Sequence, residues 1–218
     1  MASLQAIGIF GGTFDPIHCG HLRLAEEMAD AIGLERVVFI PAGQPPHRQP
    51  PKIAARHRLE MVRRAVAGNP RFAVDKREVA SSKPSYAVDT LTALRAERGP
   101  DQVLWLLLGA DAFRGLPRWH RWQQLFELTN IVVATRPTSA DTAAAHLPEP
   151  LQSEVLKREL ADASEAGPAG AVLRQQMTPL DISATAIRAT LAQRGSVRYL
   201  LPDAVLNYID EHQLYRQT

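Results

Sequence analysis

Two histidines three positions apart lie in a short glycine-rich segment near the start of the chain. The segment from Phe10 to His21 reads FGGTFDPIHCGH. Gly11 and Gly12 allow the backbone either to approach a ligand closely or to adopt a positive φ. His18 and His21 would lie on the same side of a helix start, where free N–H groups and the helix dipole favour anions. The segment therefore predicts a site for an anion such as a triphosphate.

Three other interpretations of this segment are weaker. A His-x-x-His pair binds metal only with further ligands, and no Cys, His or carboxylate in the sequence completes an obvious set. A dinucleotide-binding loop needs the spacing G-x-G-x-x-G, which residues 8–12 lack. Cys19 would act as a nucleophile only beside an activating base held by a third group, and none is evident. Phosphate binding is therefore favoured.

A second polar segment, ISATAIR, runs from Ile182 to Arg188. Ser183 is placed to cap a helix, and Thr185 then lies in its first turn. Arg188 offers a charge-assisted fork for phosphate oxygens. Helix capping alone would explain the serine but not the arginine.

The elements that must position these residues alternate along the chain. Apolar runs predict strands, and apolar residues at helical spacing predict helices. The predicted strands are Ala6–Phe10, Arg36–Ile40, Phe72–Val79, Val103–Leu108 and Ile131–Ala134. The predicted helices are Leu22–Ile32, Ala55–Ala67, Tyr86–Glu97 and Trp119–Leu128. Such alternation implies parallel strands joined by right-handed crossovers. We therefore predict an α/β fold with a doubly wound parallel sheet, in which the loop after the first strand faces the ligand.

The later part of the chain is interpreted as connections, one more strand and two helices. The connections are 135–150 and 164–170, the strand is Val172–Leu180, and the helices are Ser183–Gln193 and Pro202–His212. We predict a single domain over residues 1–218, with residues 183–218 as a C-terminal helical portion.

Composition excludes several classes of function. The chain has 218 residues, with 25 Lys and Arg against 23 Asp and Glu, and no basic cluster that would indicate a nucleic-acid partner. The longest apolar run, Val103 to Leu108, is far shorter than the ~20 residues of a membrane span. Cys19 has no cysteine to pair with, and no leader pattern is visible, so we expect a cytoplasmic protein. The oligomeric state stays open, and a homo-oligomer is compatible with the sequence.

Together the two polar segments resemble the signature motifs of the nucleotidyltransferase superfamily. Residues 11–21 are similar to the loop of bacterial adenylyl- and cytidylyltransferases, and residues 182–188 to their I-S-S-T-x-I-R motif. Further segments resemble bacterial nicotinate mononucleotide adenylyltransferases along nearly the whole chain, namely 41–48, 85–86 with 90–91, 109–111 and 116–119. Phosphopantetheine adenylyltransferases, the alternative, share the two end motifs but are shorter and lack the Pro-Pro-His segment and Trp119.

The resemblance implies a Rossmann-like nucleotidyltransferase fold and a reaction of ATP with nicotinate mononucleotide that gives deamido-NAD and pyrophosphate. It implies catalytic roles for His18, His21 and Arg188, which would stabilise charge on the leaving pyrophosphate. Mg²⁺ would be bound through the ATP phosphates, with no metal site made by the protein alone.

The resemblance also implies binding residues for each substrate. Those for ATP are Gly11, Gly12, Thr13, Phe14, His18, His21, Gly109, Asp111, Ile182, Ser183, Thr185 and Arg188. Those for nicotinate mononucleotide are His47, Arg48, Tyr86, Ala87, Thr90, Trp119 and Arg136. Asp111 would accept the ribose hydroxyls, although it could instead cap a helix. Trp119 would stack on the pyridine ring, and Tyr86 would help to form the wall of that pocket.

Several features leave alternatives open. Trp119 could be a core residue, because Trp122 and Phe126 follow it at helical spacing. Two positions depart from the family pattern, with Ala184 in place of a serine and Ala87 in place of a threonine. Competing functions from other classes are a nicotinamide-dependent oxidoreductase and a nucleotide sensor that binds ATP without releasing pyrophosphate.

Overall fold

In the computed structural model, which describes residues 5–46, 50–135 and 147–216, strands and helices alternate along the chain. The strands are β1 Ile7–Gly12, β2 Arg36–Pro41, β3 Phe72–Val74, β4 Leu104–Gly109, β5 Asn130–Thr135, β6 Glu159–Leu160 and β7 Val172–Gln176. The helices are α1 Cys19–Ala31, α2 Ala55–Val66, α3 Ala87–Arg98, α4 Ala110–Arg114, α5 Leu125–Leu128, α6 Glu149–Arg158, α7 Ala184–Ala192 and α8 Asp203–Glu211. Most of these elements lie close to the predicted bounds.

The strands form one seven-stranded sheet in the order β3-β2-β1-β4-β5-β7-β6. The pairs β1–β4, β4–β5, β5–β7 and β6–β7 are parallel, with Leu106 opposite Ile9 on one side and Ile131 on the other. Because β1 has β2 on one side and β4 on the other, the strand order reverses there, as in doubly wound sheets. The predicted fold class is confirmed.

The described residues group into two compact units. The first unit contains residues 5–10, 25–38, 86–135 and 147–179, and the second contains residues 11–24, 39–46, 50–85 and 180–216. The second unit therefore contains both polar segments that the sequence singles out. One domain with a C-terminal helical portion stays a prediction.

Strand β4 forms the centre of the first unit. The residues from Leu104 to Leu108 are all buried, and the Trp105 side chain is 1% exposed. Burial on both faces explains why this strand shows no alternation of apolar and polar residues. Over residues 5–46, 50–135 and 147–216, no helix combines the length and the apolar character needed to cross a bilayer.

The strand predicted at Phe72–Val79 is wrong in its second half, since β3 ends at Val74. The Asp75 carboxylate accepts hydrogen bonds from the Arg77 backbone N at 2.8 Å and from Arg77 Nε at 2.7 Å. An aspartate that bonds to the backbone two residues ahead forms a turn, and this turn competes with strand pairing. The predicted strand Val172–Leu180 likewise ends early, at Gln176.

The helix predicted at Trp119–Leu128 is also wrong. Two 3₁₀ turns, Leu116–Arg118 and Trp122–Gln124, precede the short helix α5. Arg121 interrupts the helical path with a φ of 49°, and its side chain forms an ion pair with Asp89. Apolar spacing alone does not reveal this left-handed residue.

Residues 149–160 contain two elements that sequence analysis missed. Helix α6 begins at Glu149, after Pro148, inside the segment predicted to be a connection. Its start signals were present, since a proline occupies the first turn and two basic residues, Lys157 and Arg158, occupy the last. Strand β6 has only two residues and is too short to leave a periodic pattern.

The Arg95 side chain joins three loops of the first unit. From helix α3, its guanidinium donates hydrogen bonds to the carbonyl oxygens of Leu128 at 2.6 Å, Gly99 at 3.1 Å and Pro168 at 3.0 Å. Burial lowers the pKa of this arginine. One side chain thus satisfies carbonyl acceptors in the segments that precede β4, β5 and β7, including the end of helix α5.

Replacing Arg95 with methionine should lower the free energy of unfolding by about 2–4 kcal/mol, because several loop carbonyls lose their donor at once. Arg98→Met, in the same helix at an exposed position, is the matched control and should change stability by less than about 0.5 kcal/mol. Urea unfolding measures both values. Equal effects of the two changes would show that Arg95 does not support these loops.

Candidate active site

The glycine-rich segment of the second unit places its positive φ at an unexpected residue. Phe14 has a φ of 49°, whereas Gly11 and Gly12 do not lie in the left-handed region. Gly12 is required for another reason, because a Cβ there would lie 2.9 Å from the Phe14 ring. The Phe14 ring is buried and meets the His21 ring edge to face at a centroid distance of 5.1 Å. Gly12 therefore leaves room for a phenylalanine ring that packs against a histidine.

The two histidines stack on each other. Their ring centroids lie 3.7 Å apart at an interplanar angle of 30°. His18 immediately precedes helix α1, and His21 lies in its first turn. The His18 backbone N–H donates to Nδ1 of His21 at 3.2 Å. Because Nδ1 accepts this bond, a neutral His21 has its proton on Nε2, which makes Nε2 a hydrogen-bond donor.

His18 is held as a neutral imidazole by its surroundings. Its side chain is buried, and within the described residues its Nδ1 atom has no hydrogen-bond partner. Burial lowers the pKa of His18 from 6.5 to about 4, so the ring is uncharged at neutral pH. A Cβ at Gly20 would lie 3.1 Å from Nδ1 of His18. The glycine between the histidines therefore leaves the space that this ring position needs.

The second polar segment meets the first within the same unit. Nη1 of Arg188 donates to the backbone carbonyl of Asp15 at 2.7 Å, and Nη2 donates to Oγ1 of Thr185 at 3.3 Å. Ser183 caps α7 as predicted, since its Oγ accepts from the Ala186 N–H at 3.1 Å. The structure thus brings together, within one unit, segments that lie at opposite ends of the sequence.

Sequence analysis missed two buried charged residues, Asp15 within this loop and Arg58, which contacts the loop from helix α2. The Arg58 side chain is 1% exposed and donates to the carbonyl oxygens of Thr13 at 2.6 Å and Gly43 at 3.1 Å. Its Nε atom is buried and, within the described residues, unpartnered. Burial lowers the pKa of Arg58, and the nearby Asp15 carboxylate partly opposes this shift. The signal was an arginine on the buried face of α2, three residues before the buried Met61.

In the first unit, Asp111 is an exposed residue at the carboxyl end of β4. The strand ends at Gly109, which is the N-cap of α4, and Asp111 lies in the first turn of that helix. The alternative that Asp111 caps this helix is therefore wrong. An exposed carboxylate here keeps both oxygens available as acceptors.

The same unit contains the residues predicted to contact the pyridine. Tyr86 precedes α3 and lies against the His120 ring at a centroid distance of 4.4 Å. Ala87 begins α3, and Thr90 is buried in its first turn. Trp119 is half-buried and follows a 3₁₀ turn. Sequence analysis missed His120, which has no motif of its own.

Trp122 differs from Trp119 in its packing. It is 8% exposed, and its ring meets Phe126 edge to face at 6.1 Å. Trp122 is therefore a core residue, and Trp119 stays the candidate for a stacking surface. His47, Arg48 and Arg136 lie outside the described residues.

Residues 9–190 match the cytidylyltransferase-like family. A probable nicotinate-nucleotide adenylyltransferase of Dechloromonas aromatica is 53% identical over 216 residues, covering 98% of this chain and 99% of the relative. A protein of the same name from Pseudomonas paraeruginosa is 50% identical over 213 residues, covering 97% of this chain and 98% of the relative. The chain belongs to the nicotinate-nucleotide adenylyltransferases of the cytidylyltransferase-like family.

Solved structures agree with this family at the level of the fold. A Plasmodium falciparum nicotinic acid mononucleotide adenylyltransferase complexed with NaAD superposes with a TM-score of 0.73 at 16% identity, with 97% of each chain covered. A putative nicotinate-nucleotide adenylyltransferase from Vibrio parahaemolyticus gives a TM-score of 0.63 at 15% identity, covering 98% of this chain and 97% of that one. The predicted Rossmann-like nucleotidyltransferase fold is confirmed.

Cys19 does not have the surroundings of a nucleophile. Its thiol is half-buried, and burial raises its pKa, which favours the unreactive protonated form. Its backbone N–H donates to the Leu200 carbonyl at 2.9 Å. The residue between the two histidines therefore joins α1 to the segment before α8.

The burial of His18 predicts a dependence of stability on pH. Below pH 6.5 the His18 side chain is protonated in the unfolded chain, whereas in the folded state it stays neutral down to about pH 4. The free energy of unfolding should therefore fall as the pH drops through this window. The loss should be on the order of 3 kcal/mol, because one pKa unit corresponds to about 1.4 kcal/mol. Urea unfolding between pH 7 and 4 measures it.

His18→Gln is the matched control for this titration, because both proteins share the carboxylates that titrate in the same range. The free energy of unfolding of the variant should fall less steeply with decreasing pH. Parallel slopes for the two proteins would contradict a buried neutral His18.

Proposed function

We propose that this protein transfers AMP from ATP to nicotinate mononucleotide, giving deamido-NAD and pyrophosphate. The observation that carries the proposal is the meeting of Arg188 with the His18–His21 loop inside the second unit. Relatives 53% and 50% identical to this chain are named for this activity. Anion-binding groups drawn from two distant segments are what a triphosphate substrate requires.

The chemistry that fits these groups is a direct in-line displacement. A phosphate oxygen of the mononucleotide forms a bond to the α-phosphorus of MgATP, and the bond from that phosphorus to the bridging oxygen breaks as pyrophosphate leaves. The attacking phosphate is already anionic, so the enzyme needs no strong base. Its work is to position the groups and to stabilise charge on the leaving pyrophosphate. His21, through Nε2–H, and Arg188, through its guanidinium, would supply hydrogen bonds to that group.

The neutral state of His18 suits this role. A ring whose pKa lies at about 4 keeps one N–H donor and one acceptor throughout the neutral range. It would therefore bind phosphate oxygens by hydrogen bonding, while Arg188 supplies the positive charge. Backbone groups of Gly11, Gly12, Thr13 and Phe14 would line the same phosphate site.

Further residues are proposed to recognise the remaining groups of the two substrates. Asp111 would accept the ribose hydroxyls of ATP, with Gly109 leaving room beside it. Trp119 would stack on the pyridine ring. The first-turn N–H groups of α3, at Ala87 and Val88, have no partner within the helix and would hold the nicotinate carboxylate. An anion strengthens such bonds, so this contact would favour the acid over the amide.

Three further residues are assigned from the family resemblance alone. His47 and Arg48 follow the Pro-Pro pair and would contact the mononucleotide. Arg136 follows β5 and would contact its phosphate. Tyr86 and Thr90 complete the proposed mononucleotide contacts.

A pyrophosphate-release assay with MgATP and each of three acceptors tests the proposal. We expect the highest kcat/KM with nicotinate mononucleotide, a lower value with nicotinamide mononucleotide and no turnover with phosphopantetheine. His21→Ala, prepared in the same way, should lower kcat by roughly 10²–10³-fold and so excludes a contaminating activity. A preference for phosphopantetheine would establish the alternative transferase, and ATP binding without pyrophosphate release would establish a nucleotide sensor.

Exchanging the two tryptophans for alanine separates ligand stacking from core packing. Trp119→Ala should raise the KM for nicotinate mononucleotide about 5- to 10-fold, because a lost aromatic stack costs on the order of 1 kcal/mol. Its thermal midpoint should shift little. Trp122→Ala is the contrast and should lose roughly 3–5 kcal/mol of stability. The reverse pattern in the two variants would exchange their assignments.

A further inference from the structure

The buried Asp15 carboxylate lies where four separate segments of the second unit meet. Its Oδ1 accepts a hydrogen bond from the Tyr215 hydroxyl at 2.7 Å, and its Oδ2 accepts from the Lys52 backbone N–H at 2.9 Å. The backbone carbonyl of the same residue accepts the hydrogen bond from Arg188 at 2.7 Å. The Asp15 side chain is only 6% exposed. One residue of the phosphate loop thus joins the C-terminal segment, residue 52 and helix α7.

These contacts separate Asp15 from the reacting groups. Both of its carboxylate oxygens already accept protein donors, and its burial leaves little surface for a ligand. The guanidinium of Arg188 has five N–H donors, and the two hydrogen bonds to Asp15 and Thr185 leave others for phosphate oxygens. Asp15 would therefore orient Arg188 toward the ligand, although Asp15 does not contact the ligand.

Tyr215 is suited to hold this aspartate permanently. Burial raises the pKa of its hydroxyl, and the neighbouring Asp15 charge raises it further, so the hydroxyl stays protonated and donates at every working pH. A hydrogen bond to a carboxylate in a partly buried position is stronger than one between neutral groups. The Arg58 guanidinium supplies a compensating positive charge beneath the same loop.

We propose that Tyr215 and Asp15 are positioning residues for AMP transfer: the Tyr215 hydroxyl holds the Asp15 carboxylate, and Asp15 in turn aims Arg188 at the triphosphate. The proposal rests on the proposed function for its kinetic readout. It does not rest on that function for its ligand-binding readout, because ATP binding is measured without an acceptor.

Tyr215→Phe removes only the hydroxyl and tests the first contact. We expect kcat to fall roughly tenfold while the KM for nicotinate mononucleotide stays within about twofold, because the change acts through Arg188 and not on the acceptor. Tyr199→Phe is the matched control: Tyr199 also has a positive φ, of 69° against 64°, but it is 85% exposed. It should behave as the parent protein. Equal kcat in the two variants would overturn the proposal.

A double-mutant cycle with Arg188→Ala separates positioning from general support of the fold. If Tyr215 acts through Arg188, Tyr215→Phe should weaken binding of a non-hydrolysable MgATP analogue severalfold in the parent, but hardly at all when Arg188 is already alanine. A structural role would weaken binding equally in both backgrounds. Calorimetry on the four folded proteins decides this, and additive effects overturn the proposal.

Failure of the proposed function and failure of the positioning role give different results. If the parent binds the MgATP analogue but does not adenylate nicotinate mononucleotide, the proposed function fails while the cycle still tests the positioning role. If Tyr215→Phe does not fold, Asp15→Asn replaces it in the same cycle. Asp15→Asn retains the backbone carbonyl that Arg188 contacts but weakens the side-chain acceptors of Tyr215 and Lys52. An additive result again overturns the proposal.

Discussion

The hydrogen bond from the Arg188 guanidinium to the carbonyl oxygen of Asp15 joins residues that are 173 positions apart in the sequence. Everything proposed for the phosphate site depends on it, because it brings a permanent positive charge to the loop that carries His18 and His21. The loop itself is held from beneath by Arg58, which bonds the Thr13 carbonyl. The buried Arg58 and the half-buried Arg188 thus support a ligand site in which one histidine is neutral.

Sequence predicted the fold well where periodicity and burial agree. Strand β4 has no alternation because it is buried throughout, and its apolar run is visible without any structure. Prediction failed where a single residue redirects the backbone. Asp75 ends β3 with its own side chain, and Arg121 breaks the expected helix with a positive φ. Such effects depend on local geometry and tertiary partners, which apolar spacing does not encode.

The candidate site was predictable to the extent that its residues carry recognisable chemistry. Residue type and spacing reveal the histidine pair in the glycine-rich loop. They also reveal the capped helix that carries Arg188. Residues that act through others carry no such signal. Asp15 and Tyr215 are joined only in the folded chain, and Arg58 is detectable solely as a charge on an apolar helix face. His120, whose ring lies against Tyr86, likewise belongs to no recognisable motif.

Calorimetry tests whether Arg188 belongs to the triphosphate site. Binding of a non-hydrolysable MgATP analogue and of nicotinate mononucleotide, each alone, is measured for the parent, for Arg188→Ala and for the exposed control Arg194→Ala. Arg188→Ala should weaken binding of the analogue by roughly tenfold or more, because one charge-assisted contact is lost. Binding of the mononucleotide should stay nearly unchanged. Equal weakening of both ligands, or an effect no larger than that of Arg194→Ala, would contradict the placement of Arg188 in that site.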